Sequence, residues 1–172
     1  MKKHLSTIIF VLIFLTGLSL LLYPTVSDYI NSLHQSQAIA SYAESVAKLE
    51  IEDYKKMWDE AVEYNQKLAS GNFDLTPSEK EIAEYNRVLD VTGTGIMAYI
   101  EIPKINCSLP IYQGTDEKVL QTSIGHIAGT SLPVDGENTH CVLSGHRGLP
   151  SAKLFTDIDG LMVGDRFMLR VL

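Results

Sequence analysis

The sequence predicts a mainly β fold entered through an N-terminal α region, and three observations predict it. An uncharged apolar run of membrane length opens the chain, and a Gly- and Pro-free stretch with helical spacing follows it. After Thr92-Gly93-Thr94-Gly95 the pattern turns to short β runs between Gly- and Pro-bearing connections. The expected divisions are residues 1–27 as a signal-anchor or transmembrane segment, 28–92 as a helical membrane-proximal region, and 93–172 as the β region.

Lys2 and Lys3 precede an uncharged run from His4 to Ser27 in which Leu5 to Tyr23 is dominated by Leu, Ile, Phe and Val. A spanning helix needs about 20 mostly apolar residues, so the run is long enough. Lysines before it and none just after it place the N-terminus inside and the remainder outside. A cleaved signal peptide is the competing reading. It ranks second, because Tyr23-Pro24-Thr25-Val26 offers no clean small-x-small cleavage pattern.

Beyond Ser27 the chain carries 12 Lys+Arg against 21 Asp+Glu, a net of −9, which leaves no basic patch for nucleic acid. The acid is concentrated in residues 28–95, the composition of a solvated exported region.

From Asp28 to Ala69 the Ala-, Glu-, Lys-, Gln- and Leu-rich sequence reads as helix. Tyr42, Val46, Leu49, Met57, Ala61, Tyr64 and Leu68 recur at steps of three and four, and Asp53 interrupts the stripe. The stripe, with Trp58 beside it, is read as packing against the following domain. A second helix is expected from Pro77 to Leu89, with Thr76 as cap and Glu79 completing a capping box. Ile82, Tyr85 and Leu89 share its apolar face.

Strands are expected at Ile96–Ile102, Leu109–Tyr112 and His140–Gly145, with a fourth beginning at Arg166–Leu172. Short helical turns are expected near Glu117–Thr122 and Ser151–Asp157. The last strand has no turn signal after it, so the sequence reads as the front part of a longer chain.

Cys107 and Cys141 lie 34 residues apart, with no CxxC and no Cys/His spacing suited to zinc. A single bridge is permitted in an exported protein, and two half-buried thiols fit as well. Along an extended strand Cys141 and His146 project to opposite faces, since five residues separate them. Nothing near Cys107 in sequence would lower its pKa. Neither cysteine is expected to be a nucleophile. Of the remaining histidines, His34 is expected to be solvated, while His126, His140 and His146 default to structural roles; His146 closes a strand in a glycine-bearing turn that can reach a groove.

One group of segments changes that weighting: Ile100-Glu101-Ile102-Pro103-Lys104-Ile105, Leu109-Pro110-Ile111-Tyr112 with Gly114-Thr115, Gly125-His126 with Gly129-Thr130-Ser131-Leu132-Pro133, and Leu143-Ser144-Gly145-His146-Arg147-Gly148-Leu149-Pro150-Ser151-Ala152-Lys153-Leu154-Phe155-Thr156-Asp157. In order and wording, over Gly95 to Leu172, they resemble the class C, pilin-assembling sortases.

The resemblance implies an incomplete sortase-type eight-stranded β-barrel over residues 93–172. It also implies a cysteine transpeptidase that cleaves LPxTG-like sorting signals and joins pilin subunits through a lysine amine. The histidine of the family's (S/T)GHRG motif falls on His146, the one catalytic residue it assigns here. The family's cysteine and arginine would lie past Leu172, and Arg147 is only the motif neighbour. The polypeptide alone is therefore expected to be inactive.

No cofactor or metal is expected. The implied partners are pilins or surface proteins with sorting signals, met at the outer face of a Gram-positive-type membrane. Residues 70–95 offer Asn72-Phe73-Asp74-Leu75 but lack the Asp-Pro-aromatic lid usual in class C. A cell-wall-anchoring sortase and a non-catalytic tethered pseudo-sortase are the alternatives. With half a barrel, Ile100, Ile111, Val142 and Leu143 are expected to lack cover, each forgoing about 1.5–3 kcal/mol.

Overall fold

A computed structural model of the chain describes residues 2–71 and 77–172. Helix α1 (Lys2–Ala47) carries the apolar run straight into the polar region and contains Pro24. At 1.5 Å per residue it is about 70 Å long. Its stretch from His4 onward is long and apolar enough to cross a membrane.

The expected single helix over 28–69 is divided. Glu50 adopts an extended conformation and α2 (Ile51–Ser70) starts after it, with Glu52 and Asp53 in its first turn. Carboxylates are stabilised against the positive end of the helix dipole, so the acid that interrupts the apolar stripe marks a new helix start. Ala61 and Tyr64 of α2 are buried, as is Tyr42 of α1.

Helix α3 (Glu79–Tyr85) starts later than expected and ends earlier. Ser78 is the cap: its Oγ accepts from the Glu81 backbone N–H, and the Glu81 carboxylate accepts from the Ser78 N–H at 2.7 Å. Thr76, the expected cap, and Asn72–Leu75, the segment weighed as a lid, lie outside the described residues. Past Tyr85 the chain turns, with Leu89 at φ 64°.

Five strands form one sheet. β1 (Ile96–Ile102) has its expected limits, and β2 (Cys107–Gln113) pairs with it antiparallel after a 3-10 turn over Pro103–Ile105. The short helix α4 (Glu117–Leu120) leads to β3 (Ile124–His126), which lies parallel to β2. β4 (Leu143–Ser144) and β5 (Met168–Arg170) complete the order β4-β3-β2-β1-β5.

Strand β3 was not expected, because three residues containing a glycine leave no periodic signal. The expected strand 140–145 shrinks to two residues because the N–H groups before it go to side chains, while the His140 and Val142 carbonyls still accept the Ser131 and Ile127 N–H groups. The His140 N–H donates to Ser131 Oγ at 3.0 Å and the Val142 N–H to Thr130 Oγ1 at 3.3 Å. The expected helical turn over 151–157 is a run of turns, followed by a 3-10 turn at Ile158–Gly160.

Ile100 and Ile111 correct another expectation. Both are buried, in one cluster with Ala61, Tyr64 and Tyr85, because the helices close over the sheet. Val142 and Leu143 stay half-buried. Helix α1 is fastened along the domain by Asn31 Nδ2 donating to Ser151 O at 2.7 Å and by Tyr42 Oη donating to Met97 O at 2.8 Å. Tyr42 and Tyr99 meet edge to face at 6.3 Å.

Candidate active site

Gly145 alone separates His146 from the end of β4, and the loop behind it is braced at each end. The Phe155 N–H donates to His146 O at 3.2 Å, and the Gly148 N–H donates to Thr156 Oγ1 at 3.1 Å. A side chain at Gly145 would place Cβ 2.5 Å from Ile124 Cγ2 and 2.9 Å from Phe155 Cδ2, so only glycine lets this strand end lie against β3 and the Phe155 ring. Gly148 serves differently: it has open space but φ +77°, a conformation costly to other residues.

Lys153 pairs with Asp157 at 2.6 Å, and Arg147 with Asp159 at 2.6 Å. All four side chains are about half exposed or more, so these pairs position the loop more than they stabilise it. The wording Leu154-Phe155-Thr156-Asp157 thus has a physical meaning: it is the frame that holds the turn after His146.

The His146 ring is half-buried, and its Nε2 is shut off from solvent with no hydrogen-bond partner among the described residues. A buried polar atom left unpaired costs about 1–3 kcal/mol, so this nitrogen stands out as a group awaiting a partner. Neither thiol supplies one. Cys107 and Cys141 are both free and partly buried, and burial pushes each thiol up to about 11; Lys153 pulls Cys107 down by a smaller amount. Near neutral pH only on the order of one in 10⁴ such thiols is ionised.

His126, in the same group of motifs, is a structural residue. It is fully buried, with Nε2 2.8 Å from Ser131 O and Nδ1 2.9 Å from Tyr85 Oη. A carbonyl can only accept, so Nε2 carries the proton and Nδ1 accepts from Tyr85. Burial holds the imidazole below its ordinary pKa. His34 and His140 are exposed. No cluster of metal-ligating side chains occurs among the described residues.

A sortase-domain family profile matches residues 100–171. Sortase C1 of Streptococcus agalactiae superposes with a TM-score of 0.76 at 48% identity, covering 79% of this chain and 70% of that one. The chain belongs to the sortase family. Sortase C of Streptococcus pneumoniae is similar at 39% identity and a TM-score of 0.67, over 79% of this chain and 68% of that one. Among curated proteins, sortase D of Bacillus subtilis (strain 168) is 40% identical over 79 residues, 46% of this chain and 37% of its own length. In this sortase the five strands are part of the family's barrel, and its structural neighbours are class C enzymes.

Proposed function

We propose that this chain contributes the histidine side of a cysteine transpeptidase that cleaves LPxTG-like sorting signals and joins pilin subunits. The observation that carries the reading is the partnerless Nε2 of His146, on a loop braced by Phe155 and Thr156, in a chain of this family. In the first half-reaction a thiolate attacks the Thr carbonyl carbon and the Thr–Gly C–N bond breaks. His146 gives its proton to the leaving amine, and a thioester remains. In the second a lysine amine of the next subunit attacks the thioester, His146 takes the amine proton, and the thiolate is released.

The nucleophile is neither Cys107 nor Cys141, whose thiols burial keeps protonated. The thiolate and the oxyanion-stabilising guanidinium belong to strands that follow β5 in the barrel. Helix α1 anchors the enzyme with the domain outside the membrane, where membrane-held sorting signals are met. The division into anchor (1–27), membrane-proximal helices (28–92) and barrel (93–172) is part of the same reading.

The test is turnover of an LPxTG-like peptide with a lysine-bearing acceptor by the full gene product in detergent. His146→Ala should abolish the thioester and the product while leaving the melt unchanged, whereas Cys107→Ala and Cys141→Ala should retain both. Retained turnover in His146→Ala, or loss in Cys141→Ala, would overturn the assignment.

A further inference from the structure

Contact between α1 and the domain begins where the apolar run ends. Residues 4–26 are all exposed, while Ser27, Asp28, Asn31, Gln35 and Tyr42 are covered. The Lys153 N–H donates to Asp28 Oδ1 at 2.6 Å, only five residues, or about 7.5 Å, past Tyr23. On the uncovered side of the same turns Tyr29 (63% exposed) and Leu33 (50%) continue the apolar surface. A tyrosine beside aliphatic residues is the composition of a helix crossing the headgroup layer.

This geometry decides which end of the sheet faces the membrane. Tyr42 sits over Met97 near the start of β1, whereas Asp28 and Ser32 line a cavity with Ile105, Asn106, Lys153 and Asp157, past the end of β1. Moving along α1 towards the anchor is therefore moving along β1 towards Ile102 and beyond. β5 runs antiparallel to β1 with Glu101 opposite Met168, so the residues before Met168 extend past that same end. Gly160 lies against Ile105 there as well, its would-be Cβ 3.4 Å from Ile105 Cγ2.

At this end the chain makes a tight turn. The Asp165 N–H donates to Met162 O at 3.0 Å, the Met162 N–H to Asp165 Oδ2 at 2.8 Å, and Gly164 has φ +101°. The side chains it carries outward are apolar: Met162 is 68% exposed, Val163 109% and, beside them, Phe167 59%. Val163, a β-branched aliphatic residue at a turn tip, packs on nothing among the described residues.

We propose that the Met162–Val163 turn is a second membrane contact, seated in the interface of the leaflet from which α1 emerges. The inference rests on the reading of α1 as a membrane anchor. The surrounding charges balance: Lys104, Arg147, Lys153 and Arg166 stand against Asp28, Asp157, Asp159 and Asp165, with Arg147 paired to Asp159, Lys153 to Asp157, and the Asp165 carboxylate capping the turn. The contact is therefore apolar, forms on zwitterionic phosphatidylcholine and is indifferent to salt. With α1 it makes two points of attachment, which hold the domain, and with it the His146 loop, at a set height over the bilayer.

The experiment uses the whole chain in phosphatidylcholine nanodiscs with and without bromine on the acyl chains. Trp58, the single tryptophan, is replaced by Phe, and one tryptophan is placed at Val163, at Leu18 in the anchor, or at Thr94 at the opposite end of the sheet. The expected result is bromolipid quenching of Leu18→Trp and Val163→Trp, with a blue shift of the latter against the lipid-free detergent state, and no quenching of Thr94→Trp. Quenching at Leu18 with none at Val163 overturns this inference and leaves the anchor standing. A Val163→Trp emission that is already blue-shifted in detergent and unquenched in bromolipid assigns the turn to a protein partner and also overturns it. Equal quenching at Val163 and Thr94 means unspecific adsorption, a third refutation. No quenching at Leu18 removes the anchor, and the inference with it.

Discussion

The Tyr85 hydroxyl lies 2.9 Å from His126 Nδ1 and accepts the Gly114 N–H at 2.9 Å, joining α3, the turn after β2 and β3 through one buried oxygen. Because every partner is buried or nearly so, removing that oxygen leaves groups that water cannot reach. Tyr85→Phe should therefore cost about 1–3 kcal/mol, read as a lower urea midpoint in detergent.

The same histidine makes stability depend on acid. Burial holds the folded pKa of His126 below its ordinary value near 6.5, so the unfolded chain takes up the proton first. The stabilisation is complete above about pH 6.5 and is lost as pH falls through the folded value. Melts from pH 7.5 down to 5 should show a decline that His126→Gln flattens.

Two glycines of the His146 turn should fail for different reasons. Gly145→Ala drives a methyl into Ile124 and Phe155 and should cost about 1–3 kcal/mol by overpacking, relieved in part by Phe155→Leu. Gly148→Ala meets open space, so its cost of about 1–2 kcal/mol comes from the left-handed backbone alone, and no neighbouring substitution should restore it. Chemical denaturation of Gly145→Ala, of Gly145→Ala with Phe155→Leu, and of Gly148→Ala separates the mechanisms.

Both native thiols should react slowly with a disulfide reagent at pH 7. Their rates should climb steeply as pH approaches about 11, the value to which burial raises each. His146→Ala should leave both rates unchanged, because His146 Nε2 bonds to neither sulfur. A rate that saturates below pH 8 would show a thiol activated by a neighbour.

Asp28→Ala should loosen α1 from the domain. It removes a 2.6 Å charge-assisted hydrogen bond to the Lys153 backbone, spanning 125 residues, in a partly solvated place. A loss of about 0.5–1.5 kcal/mol is expected, together with faster proteolysis near Lys153.

Much of this molecule is written in short stretches. The apolar run, the Ala61–Tyr64–Leu68 stripe and the seven residues of β1 are local patterns whose period names the element. Ser-x-x-Glu capping is local too, yet two overlapping versions, Thr76 to Glu79 and Ser78 to Glu81, compete, and the chain uses the second. The motif wording around His146 identified the family, and the frame that Phe155 and Thr156 build explains why those letters stand there.

What only the tertiary structure decided depends on residues far apart. The break at Glu50 separates α1, whose Tyr42 bonds Met97 O, from α2, whose Ala61 lies in the core cluster. β3 exists because β2 lies beside it, not because Ile124-Gly125-His126 favours a strand. Ile100 and Ile111 are covered by helices that periodicity places on a face without naming the partner. Which end of the sheet lies nearest the apolar part of α1 follows from Asp28 reaching Lys153, a hydrogen bond between segments 125 residues apart that no window of sequence contains.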